Sequence, residues 1–570
     1  MTSLGLVPQP PAEVRLRRAS NAARVICGAV LAMTASVIAC APSTFDNLTN
    51  GAPDAPADSV GAPHTSDDVV DPALPAPRPI SPLSVTWVNT SRPRFRWAPS
   101  DGLTGAVVEL SRTRDFAGEV SRFVGTGSEA VPDADLEAGI WFWRLKGRAS
   151  GSEGVLTSPV WEVLVRGPGT TGASESPNGG ILDLDGNGEP DLDVVIMVVG
   201  EKPGDPIEPA LVTLLGQPGG KYNLFDERST IGTIVEIPDV ALAGAIDLDG
   251  DGYSDSAFAE IHTKPSDAAE KVGALYVFHG GPSGIDTDKD RAYGWLPTPI
   301  FETLPYVEAS GDVNGDGYGD LASSFRDLAF ANLGGPKGAG TLTVFAQQDP
   351  KLGPAPLTGG CDLDGDGISD VAIASSDTSS PIRYASGGRD RFAGLTSPTF
   401  GGDMSVPSRA TALTSGDFDG DGTADVAFTT RVDGEPAVCV YSIESGSMTT
   451  RSCWVNAGAP ADGFGRSLAA GDLDGDGKDE IIVASTSGLV FLSHEGAGFT
   501  SEGTTFVATP IPGSFGARVA MIHPGRPTKA RWAVYGADAK SIVIFTGTEV
   551  TQKIDLSDDE YFVSVGGSIR

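Results

Sequence analysis

Histidine is scarce in this chain, with five residues in 570. His64 stands in a polar stretch. His262, His279, His494 and His523 are scattered, and none falls in a Ser/His/Asp arrangement or an HExxH pattern, so neither nucleophilic hydrolysis nor zinc-protease chemistry is marked. Each is read as a surface or strand residue. No phosphate-cradling glycine loop is followed by Lys-Ser/Thr. Basic residues are outnumbered, 40 against 75 acids, for a formal charge of −35. Phosphate binding needs a basic face, so nucleic acid is a poor partner. There are five cysteines. Cys361, Cys439 and Cys453 make neither a zinc site nor a disulfide scaffold. Cys439 and Cys453 flank a turn and either pair across neighbouring strands or stay free, because spacing does not fix the geometry. The apolar run Val25–Ile38 is fourteen residues long, too short for a comfortable membrane-spanning helix.

Glycine and proline, by contrast, are plentiful (74 and 42), and charged residues are only 20%. That mix favours many short strands joined by turns. One acidic, glycine-punctuated nonapeptide occurs six times: DLDGNGEPD from Asp183, DLDGDGYSD from Asp247, DVNGDGYGD from Asp312, DLDGDGISD from Asp362, DFDGDGTAD from Asp417 and DLDGDGKDE from Asp472. The starts are 64, 65, 50, 55 and 55 residues apart. Repetition at such a period signals a repeat architecture. The six copies hold 24 of the 75 acids, a clustering that an evenly acidic surface does not explain.

The pattern suits Ca²⁺, which takes six to eight oxygen ligands. Position 1 is Asp183, Asp247, Asp312, Asp362, Asp417 or Asp472. Position 3 is Asp185, Asp249, Asn314, Asp364, Asp419 or Asp474, and position 5 is Asn187, Asp251, Asp316, Asp366, Asp421 or Asp476. Position 7 offers its backbone carbonyl and so varies: Glu189, Tyr253, Tyr318, Ile368, Thr423, Lys478. Position 9 closes the site with Asp191, Asp255, Asp320, Asp370, Asp425 or Glu480. Glycines at 4 and 6 allow dihedrals that a Cβ would block. Position 2 is always apolar and is expected in the core. Six bound ions would take the formal charge from −35 to −23. The alternative is a set of Asp/Gly turns without metal. Strand-like segments such as Val371–Ala374 follow the loops, and position 12 is apolar, which separates them from EF-hands.

Ahead of the repeats the chain changes character several times. Residues 1–40 carry a basic start and an apolar run that ends in Val37-Ile38-Ala39-Cys40. This resembles the lipobox of bacterial lipoproteins and implies lipidation at Cys40. An ordinary secretory signal or an uncleaved anchor is the other reading. Ala41, not Asp, follows, which by the same resemblance implies outer-membrane sorting. Residues 41–80 are rich in Pro, Ala and Asp and read as a disordered spacer. Residues 81–166 alternate short aromatic runs with turns and fit a small β-sandwich. Pro93–Trp97, Leu136–Arg144 and Ser158–Trp161 resemble a fibronectin type III or immunoglobulin-like module. Its tryptophans are read as core, with a carbohydrate-binding face as the alternative. Residues 167–180 read as a linker, and 181–570 hold the repeats.

The acidic loops, the preceding Gly463-Phe464-Gly465 and the strand that starts at Gly273 together resemble the FG-GAP/VCBS repeat family, the blade type of integrin α-subunit propellers. The resemblance implies an all-β, calcium-binding propeller. Ser514–Met521 repeats the pre-loop strand, but Ile522–Arg526 replaces the acidic loop. Seven blades are therefore expected, with six as the alternative, and the seventh without calcium. Lys553–Arg570 is expected to pair with the first blade and close the ring. The function implied is a membrane-anchored binding or adhesion lipoprotein of the bacterial envelope that engages a protein or glycan. An envelope-assembly protein and a polysaccharide-acting enzyme are the alternatives. A propeller can assemble an active site across blades, so absent linear motifs do not decide the last.

Overall fold

The computed structural model describes residues 62–63, 69–167, 177–198, 208–230, 241–263, 271–285, 292–299, 306–325, 328–338, 340–346, 355–374, 382–388, 410–444, 447–456, 463–485, 488–495, 498–499, 505–507, 518–525, 527–535, 541–555 and 560–566. Cys40 and the segment around it lie outside these residues. The described residues are strands and turns, with no helix.

The N-terminal unit is a sheet doubled over on itself. Gly139–Ala149 pairs on one edge with Gly105–Ser111 and on the other with Trp161–Val165 and Ser152–Thr157. Phe95–Trp97 belongs to the same sheet through the turn at Thr126–Glu129, yet Phe95 meets Trp143 edge-on at 5.0 Å and Phe123 at 5.8 Å. Phe95, Trp97, Trp143 and Trp161 fill one buried core with Val108, Leu110 and Val163, so these aromatics are packing residues. Residues 69–80 are not spacer: Val69–Asp71 pairs in parallel with Ser152–Gly154, and Pro79 pairs with Trp97. The unit therefore begins earlier than composition suggests.

Residues 192–566 form seven sheets of three or four strands in sequence order, together with a two-stranded ribbon of His494–Glu495 and Gly498–Phe499. The second is typical: Ala241–Ile246, Asp255–Thr263, Lys271–Phe278 and Ala292–Pro299, each antiparallel to the next. The third starts at Tyr306–Gly311, the fourth at Leu357–Cys361, the fifth at Leu413–Gly416, the sixth at Leu468–Gly471 and the seventh at Arg518–His523. Each of these first strands lies against the first strand of the next sheet.

The first sheet is built differently. Its strands Leu192–Val198, Glu208–Gln217 and Lys221–Thr230 are joined by Glu560–Gly566, which pairs with Leu192–Val198 from Asp193↔Gly566 to Val198↔Glu560. That late strand takes the first-strand place and touches the first strands of both the second and the seventh sheets. Apolar side chains fill the spaces between successive sheets, as where Leu192, Val194 and Val212 meet Ala533, Ile542 and Ile544 of the seventh.

Cys439 and Cys453 face each other in the fifth sheet and are joined by a disulfide. Between them and the preceding strand, Asp433 and Gly434 turn the hairpin with φ of 51° and 86°, the left-handed pair that a two-residue turn between twisted strands requires.

Candidate metal centres

Each acidic loop connects the first and second strands of a sheet, except that the first loop follows Ile181-Leu182 and precedes Leu192–Val198. All six fold alike. The glycines at positions 4 and 6 have φ between 67° and 102°, which L side chains avoid. The position-1 carboxylate accepts the N–H of position 6 at 2.6–3.1 Å in every loop. The position-5 side chain accepts the N–H of position 7 at 2.7–3.1 Å, again in every loop. This explains why position 7 tolerates Glu189, Tyr253, Tyr318, Ile368, Thr423 and Lys478: its backbone is what matters. Position 2 is buried throughout, with Leu184, Leu248, Val313, Leu363, Phe418 and Leu473 each at most 3% exposed.

Position 9 does more than close a loop. One oxygen accepts the position-2 N–H at 2.7–2.9 Å in five loops. The other accepts an N–H from the end of the third strand or just beyond it, from Gly216, Gly280, Gly334 and Gly387 to Asp191, Asp255, Asp320 and Asp370. In the fifth loop the hydroxyl of Ser442 donates to Asp425. Position 9 therefore ties loop to sheet, and its oxygens keep lone pairs for a cation.

The loops also lock onto one another. The position-8 N–H donates to the position-1 carbonyl of the preceding loop: Ser254 to Asp183, Gly319 to Asp247, Ser369 to Asp312 and Asp479 to Asp417, at 2.8–3.3 Å. In the seventh sheet, which lacks the acidic loop, Ala530 donates instead to Asp472.

The donors converge as a hard cation requires. Oxygens of Asp183, Asp185 and Asp191 lie within 4.8 Å of one another, as do those of Asp247, Asp249 and Asp251, of Asp362, Asp364 and Asp370, and of Asp417, Asp419 and Asp421. Burial, reinforced by neighbouring carboxylates, pushes Asp183, Asp247, Asp320, Asp370 and Asp425 well above the usual carboxylate range. Asp417 rises to about 6, Asp312 to about 7 and Glu480 to about 8 for the same reasons. Buried oxygens of Asp364 and Asp425 have no hydrogen-bond partner. Buried acids crowded with unmatched acceptors are costly unless a proton or a cation joins them. The all-oxygen donor set fits Ca²⁺.

The second loop has a neighbour that spacing did not reveal. His279 is 5% exposed, and its Nδ1 lies 3.1 Å from Asp255 and 3.6 Å from Asp249. It stands just before Gly280, where Ser386 stands before Gly387 in the fourth sheet, and Ser386 donates to Asp364 at 2.8 Å. His523 is also buried, and its pKa falls to about 3, chiefly from burial.

The N-terminal unit sits against the loops. Arg114 donates to the carbonyl of Gly252 at 2.7 Å and stacks on Tyr253 at 3.9 Å. The Trp161 indole donates to Gly250, Arg78 lies over Tyr318 at 4.8 Å, and Asn89 donates to Asp417 at 3.1 Å. Arg166, 1% exposed at its side chain, pairs with Asp479 at 2.9 Å. Residues 177–180, read from composition as the end of a linker, are wedged between together with Ile181: Asn178 and Ile181 donate to Trp87 and Val85, and Asp362 donates to Pro177. Removing one partner of a buried ion pair leaves an uncompensated charge, so Arg166→Ala is expected to lower stability by about 3–5 kcal/mol. Denaturant unfolding followed by tryptophan fluorescence measures it.

Two segments match repeat models: residues 362–428 an FG-GAP-like repeat and residues 464–501 an FG-GAP repeat. A stretch of 155 residues is 30% identical to integrin alpha-PS2 of Drosophila melanogaster, covering 22% of this chain and 10% of that protein. The chain thus spans about a tenth of the length of that curated relative. Among solved structures, a Lactobacillus plantarum protein superposes at a TM-score of 0.38 with 13% identity, over 66% of this chain and 100% of the other. The periplasmic gluconolactonase PpgL of Pseudomonas aeruginosa superposes at 0.36 with 11% identity, over 65% and 99%. At those scores neither likeness bears on activity. No helix among the described residues is long and apolar enough to cross a membrane. The chain carries FG-GAP repeats, and the fourth, fifth and sixth acidic loops, from Asp362, Asp417 and Asp472, lie inside the two matched segments.

Proposed function

We propose that this chain is a calcium-stabilised binding protein of the bacterial cell surface, anchored by lipid at Cys40, with its seven sheets as the blades of a closed propeller. The observation that carries the calcium reading is the sixfold repetition of one loop geometry around convergent, buried carboxylates. Its likeness to an integrin α chain and its FG-GAP repeats support an adhesion-type role. The ions are structural: position 1 and position 9 bind backbone as well as cation, so each ion holds loop, sheet and neighbouring loop together.

The partner-binding surface is then not the loop end, which the N-terminal unit occupies. The opposite end, where the fifth sheet turns at Asp433-Gly434, is the surface for a protein or glycan. The test is capture from cell-surface, matrix and glycan preparations by the calcium-loaded full-length chain. Specific retention that is lost when loops at the Asp433 end are exchanged is expected. Equal retention by those exchanged variants, or retention of nothing, overturns the adhesion reading, and turnover of a polysaccharide in the same preparations favours an enzyme.

A further inference from the structure

The strand Trp161–Val165 alternates, as strands do. Trp161, Val163 and Val165 enter the N-terminal core. The opposite face presents Glu162, Leu164 and then Arg166, and these are buried too. Leu164 packs with Trp87 and Ile181, and Arg166 has Asp479. Glu162 has no such partner. It is fully buried, and among the described residues no hydrogen-bond donor reaches either of its Oε atoms.

What Glu162 meets instead is another acid. Its carboxyl lies against that of Asp183, position 1 of the first acidic loop, with Asp185 close by. Arg114 is near enough to favour its charge; its Nη2 donates to the Gly252 carbonyl and its plane stacks on the Tyr253 ring, while its buried Nη1 has no hydrogen-bond partner and makes no bond to Glu162. Two carboxyls that face each other in a dry site need a proton or a cation between them. Asp183, Asp185 and Asp191 already converge within 4.8 Å. The first loop is also the one with an amide, Asn187, at position 5, so it brings one fewer anionic oxygen donor to the ion than its DxDGDG counterparts.

We propose that Glu162 is a calcium ligand contributed to the first loop by the N-terminal unit, so that one ion is shared between the two parts of the molecule. The inference rests on the calcium reading of the loops and adds a ligand from outside them. The shared ion makes seating of the N-terminal unit depend on metal, and it supplies the charge that Asn187 withholds.

Counting calcium by equilibrium dialysis, with calorimetric titration of full-length protein, tests this. Glu162→Gln is expected to remove one bound ion, or to weaken one site by about tenfold or more, with the remaining sites unchanged. Asp185→Asn is expected to affect the same site, and combining the two is expected to lose no second ion. Should Glu162→Gln fail to refold, Glu162→Asp keeps the charge, shortens the reach and is expected to weaken the same single site. Wild-type stoichiometry and affinity in the Glu162 variants would overturn the proposal and assign a shared proton to the pair. Two separate losses in the double variant would overturn it as well. If the wild type itself binds no calcium, it is the reading of the loops that fails.

Discussion

Stripping calcium with excess chelator is expected to lower the melting temperature by about 14 °C at neutral pH. An ion held at about a hundred times its dissociation constant stabilises by about 2.7 kcal/mol. Six independent sites then reach on the order of 16 kcal/mol, and unfolding entropy scales with chain length at about 2 cal/mol/K per residue. The effect has a pH signature. Asp417, Asp312 and Glu480 have folded values of about 6, 7 and 8, all above the values near 4 that unfolded carboxyls show. The folded metal-free protein therefore holds protons that the unfolded chain has released. Its stability is full below about pH 4 and falls as pH rises towards 8. Calcium competes with those protons and reverses the trend, so the calcium-induced shift is expected to grow across that window. Calorimetric scans at pH 5, 6, 7 and 8, with and without chelator, measure both. A melting temperature indifferent to chelator would sink the calcium assignment.

Removing residues 556–570 is expected to be as severe. The deletion strips Leu192–Val198 of its partner from Asp193↔Gly566 to Val198↔Glu560. At about 1 kcal/mol net per lost backbone bond the ladder alone is worth several kcal/mol. The contacts of that strand with Ala241–Ile246 and Arg518–His523 are lost with it. The exposed edge is then a template for another chain. The expected result is a large fall in thermal stability and a shift to oligomers on size exclusion. A shorter deletion of 567–570 leaves the ladder intact and is expected to behave as the full chain. A monomer of unchanged stability after the longer deletion would show that the array of sheets does not depend on this strand.

Much of the site was readable because it is local. Nine consecutive residues set the glycine dihedrals, the buried position 2 and the variable position 7, and repetition separated them from chance turns. The seventh unit without acids and the pairing of the tail were readable from the same repeat. Position 8 was not. Its N–H bridges to the preceding loop from Ser254, Gly319, Ser369 and Asp479, which share no side-chain chemistry. Arg166 and Asp479 are 313 residues apart, and no spacing rule connects them. A signal was nonetheless present in Trp161–Arg166: an apolar strand whose other face carries Glu, Leu and Arg. Leucine between two charges on one face marks a surface that is covered. His279 escaped because its partners lie on either side of a hairpin, not in a motif.

The strand Glu560–Gly566 also sets an order in time. Leu192–Val198 is among the first parts of the repeat region to be synthesised, yet its neighbour is made only after the other six sheets have been specified. Until then the first sheet has an open inner edge, and contacts of such long separation form slowly. A translating chain thus carries that edge unpaired for most of its synthesis, the kind of exposed strand edge that makes incomplete chains prone to aggregation. The arrival of one short strand ends that exposure and in a single step completes the first sheet and its contacts with the second and seventh.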